Sequence, residues 1–269
     1  MIITGSIYLK IIVQLFIFIL IIMLFTGCKG FASDYKNTQK SFKKLEQNYA
    51  LKIYWNIDEN FLPPLWKSSP QNATVTPLTQ SELDRLPSLI KKILLRYPKS
   101  IIRRYLYGLY LSKNLIFNGI EKKGAYFCDR IYIACNRKDY NDIARIFHHE
   151  YSSILMIQYG FPYKKWKQCN IPEFRYKNTG KHFTYNTFNR NIKIKQLFVM
   201  GFLNKNSMSS LEEDFNVYSE KIFTSPNEML ILIKKYPLIK RKARIWLSFY
   251  NKMHCDFTGK YFFNTNVFK

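Results

Sequence analysis

Acidic residues are scarce in this chain: 18 Asp and Glu stand against 42 Lys and Arg over 269 residues, for a formal charge of +24. Such a balance invites a nucleic-acid or anionic-membrane partner. No zinc finger, basic zipper or ribonucleoprotein motif accompanies the charge, and the basic residues are scattered along the chain, so no nucleic-acid partner is expected. Lys, Asn, Ile, Tyr and Phe are abundant together, as an A+T-rich coding sequence would produce, which is a bland source for the lysine excess. There is no internal repeat, no low-complexity tract and no CxxC pair, which argues against an array of modules and against a thiolate zinc site. What is present is aromatic content of 17%, too high for general disorder, and a length that suits one large domain or two small ones.

The first residues have the layout of a targeting segment. Lys10 supplies a positive charge, and residues 11–27 are an apolar run interrupted only by Gln14 and ending in small residues before Cys28. The stretch LFTGC resembles a bacterial lipobox, with Phe25 where Leu is usual. On this reading residues 1–27 are a signal peptide, Cys28 carries lipid, residues 28–48 are a polar, basic tether, and residues 49–269 are a folded domain held outside the cytoplasm at the bacterial cell envelope. The alternative is a single membrane-spanning anchor, for which the run is near the lower limit of length. The other four cysteines, Cys128, Cys135, Cys169 and Cys255, permit two disulfides in three connectivities, or buried free thiols.

Periodicity predicts the following elements. LKIYWNI (51–57) reads as a short strand, and residues 81–98 as a helix, with Leu83, Leu86, Leu89, Ile90, Ile93 and Leu94 recurring at three and four and Pro98 ending it. IIRRYLYGLYLS (101–112) and FCDRIYIAC (127–135) are aromatic and β-branched, and are expected to pair as strands across the turn-prone FNGIEKKGA. Asp139 caps a helix running to about residue 159 and stopped by Gly160. Residues 161–206 suggest ordered loops with short helices, residues 209–223 a helix introduced by Ser209 or Ser210, and residues 225–253 a helical hairpin bent at Pro237.

The helix capped by Asp139 carries FHHEYSS (147–153). Positions four apart share a helix face, so His149 and residue 153 point at one spot, with Glu150 beside them. A second histidine at 153 would give the paired imidazoles of a zinc peptidase, with the glutamate as general base. Ser153 stands there instead, a short and weak ligand. His148 points about 100° away from His149, which suits a hydrogen bond in the core or behind the site. His182 and His254 are the remaining imidazoles able to replace the missing ligand, His182 the better placed of the two in sequence.

Four segments in order carry a resemblance: IYI (131–133), FHHE (147–150), WKQCNIPEFRY (166–176) and GFLNKNSMSSLEEDF (201–215). Together they resemble the zinc-binding metallopeptidase lipoproteins, a gluzincin-like family, over roughly residues 80–250. The resemblance implies an α+β zincin-like domain with a small sheet, an active-site helix and a mostly helical C-terminal half. It implies His149 and Glu213 as zinc ligands and Glu150 as the base, acting on a peptide or protein. The second ligand does not carry over, and Asn216 departs as well, standing where a small residue is common. Glu213 has a structural alternative, a capping box with Ser210, although Ser209 and Glu212 have the same spacing. Asp214 is equally a first-turn acid favoured by the helix dipole. Two function classes follow: a zinc peptidase with an incomplete ligand set, and a non-catalytic binding protein on the same scaffold. A third, a basic structural protein held against anionic headgroups, follows from charge alone.

Overall fold

The computed structural model describes residues 35–136, 139–176, 192–265 and 268. The stretch expected to be a signal peptide, Cys28 and His182 lie outside these residues.

Residues 35–49 form helix α1, whose Thr38, Phe42, Leu45 and Tyr49 are all buried at three- and four-residue spacing. Thr38 donates to Asp84 (2.7 Å), and Glu46 accepts from the Ile53 backbone N–H (2.8 Å). The folded unit therefore begins inside the stretch expected as a tether over 28–48. Lysines and amides on the outward face had masked a narrow apolar stripe.

A four-stranded sheet follows, in the order β1 (Lys52–Tyr54), β3 (Gly108–Ser112), β7 (Arg130–Ala134), β6 (Gly124–Phe127). The first three are parallel, and β6 is antiparallel on one edge. Alternation sorts its residues to two sides. Leu109, Leu111, Ile131 and Ile133 enter the main core under the helices. Tyr54, Tyr110 and Tyr132 stack at the same register on the other face, with ring centroids 4.4 Å apart at each step. That face is covered by Phe61, by Trp66 of α2 (Pro64–Lys67) and by a second sheet of β2 (Thr74–Thr76), β4 (Asn114–Phe117) and β5 (Ile120–Lys122). The stretch FNGIEKKGA is thus a hairpin rather than a plain turn. Asn118 and Gly119, at φ 47° and 77°, make the tight two-residue connection that Asn-Gly favours.

Helix α3 (Gln80–Leu94) opens with a capping box between Thr79 and Glu82. Residues 101–112 depart from the expected single strand. Lys99–Tyr105 is helix α4, and only the portion from Gly108 is extended. Ile101, Ile102 and Tyr105 fall on one buried face, a spacing that a helix satisfies and a strand does not. The expected partnership of the two segments survives as the parallel β3–β7 pair.

Helix α5 (Tyr140–Tyr159) stops at Gly160, whose φ of 81° makes the left-handed cap. After α6 (Tyr163–Lys167) and α7 (Ile194–Val199) come α8 (Leu211–Thr224), the hairpin α9 (Pro226–Lys235) and α10 (Pro237–Met253), and α11 (Gly259–Phe263). All four described cysteines are free, Cys135 and Cys169 buried and Cys128 and Cys255 exposed, so the disulfide alternative does not hold.

Candidate functional site

Helices α5 and α8 lie side by side, and each offers one face to the other. On α8, Glu213, Asn216 and Glu220 recur at three and four. Opposite them α5 presents His149, Ser152 and Ser153. His149 Nδ1 lies 2.6 Å from Glu220 Oε1, and His149 Nε2 lies 3.5 Å from Glu213 Oε1. Burial opposes the charged ring, but hydrogen bonds to Glu213 and Glu220 and the charge of Glu150 hold the His149 pKa well above the usual imidazole value. Glu213 owes its position to the cap. Its backbone N–H donates to Ser210 Oγ (3.0 Å), and its carboxylate is left to face His149. Of the two caps the sequence left open, Ser209 and Ser210, the structure takes Ser210, which holds the Glu213 backbone N–H and leaves the Glu213 carboxylate to the site.

Glu150 lies beside this pair, under the edge strand. A side chain at Gly124 of β6 would meet Glu150 Oε1 at 3.1 Å and Ile146 Cγ2 at 2.4 Å, so glycine there gives the carboxylate its room. Burial first, offset by His149 and reinforced by Glu213, Glu212 and Glu220, pushes the Glu150 pKa up to about 7. Tyr126 of β6 stands next to Glu212, and burial together with that charge raises its hydroxyl. Glu150, Glu212, Glu213 and Glu220 are four of the chain's 18 acids, gathered around one imidazole in a protein of charge +24. A pocket of about 460 Å³ opens beyond Glu220, walled by Phe198, Leu203, Val217 and Leu232.

Ser153 is where the arrangement departs from a metal centre. Its Oγ accepts a hydrogen bond from Asn216 Nδ2 (2.7 Å), and Asn216 Oδ1 accepts from Ser152 Oγ (2.6 Å). Each of the three residues is no more than 1% exposed. Ser153 and Asn216, the two positions that stood out in the sequence, therefore meet in space, 63 residues apart, and satisfy each other. A buried amide and hydroxyls without partners would be costly, so the bonds favour this closed arrangement.

The start of α8 is braced by the other segments singled out in the sequence. Asp214, fully buried, accepts from Trp166 Nε1 (2.9 Å), Tyr176 Oη (2.6 Å) and Lys242 Nζ (2.6 Å). Lys242 also donates to the Gly201 carbonyl (3.1 Å), which accepts from Tyr218 as well (2.9 Å). Gly201 has φ 82°, and a Cβ on it would press on Leu238 at 3.0 Å. The Trp segment, the Phe-x-Tyr, the leading glycine and the EDF helix are thus one buried knot. Asp214 is its centre rather than a dipole partner alone.

His148 proves to be a core residue. Its Nδ1 is 2.8 Å from Tyr97 Oη, its ring stacks on Phe223 at 4.4 Å, and burial and Arg96 hold its pKa well below the ordinary value. His254 lies with Cys255 and Asp256 in a surface turn after α10. Their ligand atoms are within 4.8 Å of one another, and they are the described group of three or more residues able to hold a metal. Glu220 was missed in the sequence. The signal was its place seven residues after Glu213, two turns along the same face.

Zinc requires three protein donors and an open position in such a site. His149 Nε2 and Glu213 Oε1 have a separation compatible with two ligands about 2 Å from one tetrahedral ion, and Glu220 orients the ring as a carboxylate behind a zinc histidine does. The third donor is missing among the described residues, and its place holds the Ser153–Asn216 bond. The described residues thus supply two of the three donors of a catalytic zinc, and His182, the replacement ligand favoured by sequence, lies outside them.

The fold defines a class: a mixed α+β scaffold with small sheets on one side and helices on the other. The chain is similar to a crystal structure of a "putative zinc-binding metallo-peptidase" from Bacteroides caccae, with a TM-score of 0.51 and 16% identity over 86% of this chain and 88% of that one. At that identity the likeness is one of fold. No family model and no curated protein matches the chain.

Proposed function

We propose that this chain is a lipid-anchored protein of the bacterial cell envelope that uses a metallopeptidase-like scaffold to bind, rather than cleave, a peptide or protein segment. The Ser153–Asn216 hydrogen bond carries the reading, because it fills the place of a zinc ligand with a satisfied, neutral pair. Two further features support a binding role. Strand β6 is a sheet edge, whose free backbone groups suit the addition of an extended segment. Beside it, the carboxylates of Glu150, Glu212, Glu213 and Glu220 favour a cationic group, so a Lys- or Arg-bearing segment is the ligand class. Lipid on Cys28 would hold this cleft at the membrane.

Hydrolysis is the second reading, and the placing of His149, Glu213 and a Glu150 with pKa near 7 favours it. Metal content of the purified protein separates the two. The binding reading expects substoichiometric zinc, and one zinc per chain on introducing Ser153→His with Asn216→Gly. One zinc per chain in the unaltered protein, lost on Glu213→Ala, together with peptide hydrolysis lost on Glu150→Gln, would establish the peptidase instead.

A further inference from the structure

We infer that the outward face of α1, with the groove between α1 and α3, is a docking surface for the anionic phospholipid headgroups of the membrane to which the chain is tethered. The inference rests on the anchored reading above. At about 100° per residue, the buried Thr38, Phe42, Leu45 and Tyr49 cluster on one side of α1, and Lys36, Lys40, Lys43 and Lys44 fall within an arc of roughly 100° directly opposite. All four lysines are exposed. The acid of α1, Glu46, is turned aside onto the Ile53 N–H. At the C-terminal end of the helix, Arg103 donates to the Asn48 carbonyl (3.1 Å) and extends the same charge.

Beside this stripe runs a groove of about 610 Å³, lined by Asn37, Ser41, Lys44, Ser88 and Lys91 among others. Two ammonium groups with hydroxyl and amide donors between them suit a phosphate ester. The acid in the groove, Asp84, is already engaged by Thr38 and Gln80.

The position of α1 in the chain selects the occupant. Six residues lie between Cys28 and residue 35, seven steps of the chain, so the start of α1 stays within about 25 Å of an anchored Cys28 even when that stretch is fully extended. The attraction of a negative bilayer falls off over roughly 8–10 Å. A basic face on so short a leash meets the surface repeatedly, and charge complementarity keeps it there.

The test uses the full chain reconstituted in vesicles of phosphatidylcholine alone or with about a third phosphatidylglycerol. Lysines are labelled with a water-soluble amine reagent and read by peptide mass spectrometry, with Lys164, Lys165 and Lys167 of α6 as internal controls. Labelling of Lys36, Lys40, Lys43, Lys44 and Lys91 should slow about threefold or more in the anionic vesicles relative to the controls, and recover at high salt. In the variant carrying Lys→Gln at 36, 40, 43 and 44, the protection of Lys91 should be lost. Vesicle flotation with equal labelling in both lipids overturns the docking surface and leaves the anchor standing. Failure to float with either vesicle removes the anchored reading and the docking surface with it.

Discussion

Replacing Lys242 by methionine should destabilise the chain by roughly 3–5 kcal/mol. Lys242 and Asp214 are both fully buried and 2.6 Å apart, and the ammonium also lies 4.0 Å from the centroid of the Phe202 ring. Burial raises the Asp214 pKa and lowers that of Lys242, while each partner pulls the other back toward its charged form. Without the lysine, the carboxylate keeps only Trp166 and Tyr176 as neutral donors. It must then stay charged in an apolar site or take up a proton, and either outcome costs stability. For a chain of this size each kcal/mol shifts the melting temperature by about 2–4 °C, so the variant should melt some 6–20 °C lower. Urea unfolding followed by tryptophan fluorescence gives the free energy directly. Pairing Lys242→Met with Asp214→Asn should recover a good part of the loss, because no buried charge is then left alone. A single variant within about 1 kcal/mol of the unaltered protein, or a double variant worse than the single, would refute the reasoning.

Other consequences can be measured independently. Phe42→Ala should cost about 3–5 kcal/mol if α1 belongs to the folded unit, and almost nothing in urea unfolding if that stretch is a tether. In the native protein Cys128 and Cys255 should react with a thiol reagent within minutes, whereas Cys135, its pKa pushed up to about 12 by burial, should react only on unfolding. His148 has a folded pKa below its unfolded one, so its contribution to stability is full above about pH 6.5 and is lost as pH falls below it, by up to ~1.4 kcal/mol per pH unit. His149 has the opposite sign, its contribution being lost as pH rises through its elevated pKa. The stability difference between the unaltered protein and His148→Phe, followed from pH 7 to pH 5, isolates the first effect, and a difference independent of pH would remove it.

The long elements were legible because their periodicity was redundant. Helix α5 carried an N-cap, a core stripe and a glycine stop that agreed with one another, and α8 and the α9–α10 hairpin were similarly marked. Residues 35–49 misled because their core contact is one residue in four, drowned in a basic background that also made them look like a linker. Residues 101–105 misled because a short apolar run does not declare its period. At the site, His149, Glu150 and Glu213 were readable from spacing and resemblance, and the structure brings them together. Glu220 and the Ser153–Asn216 bond were not readable, since a bond across 63 residues depends on how two helices are rotated against each other. The sequence marked 153 and 216 as separate oddities, and only packing makes them one.

That union ties the two positions together under substitution. A histidine at 153 alone would crowd the Asn216 amide and take away the hydroxyl its Nδ2 donates to, so that single change is uphill. A glycine or alanine arriving at 216 alone would leave Ser153 unsatisfied, which is uphill too. The pair acts as a latch: neither residue can be replaced singly without loss, so the two positions are bound to change together or not at all.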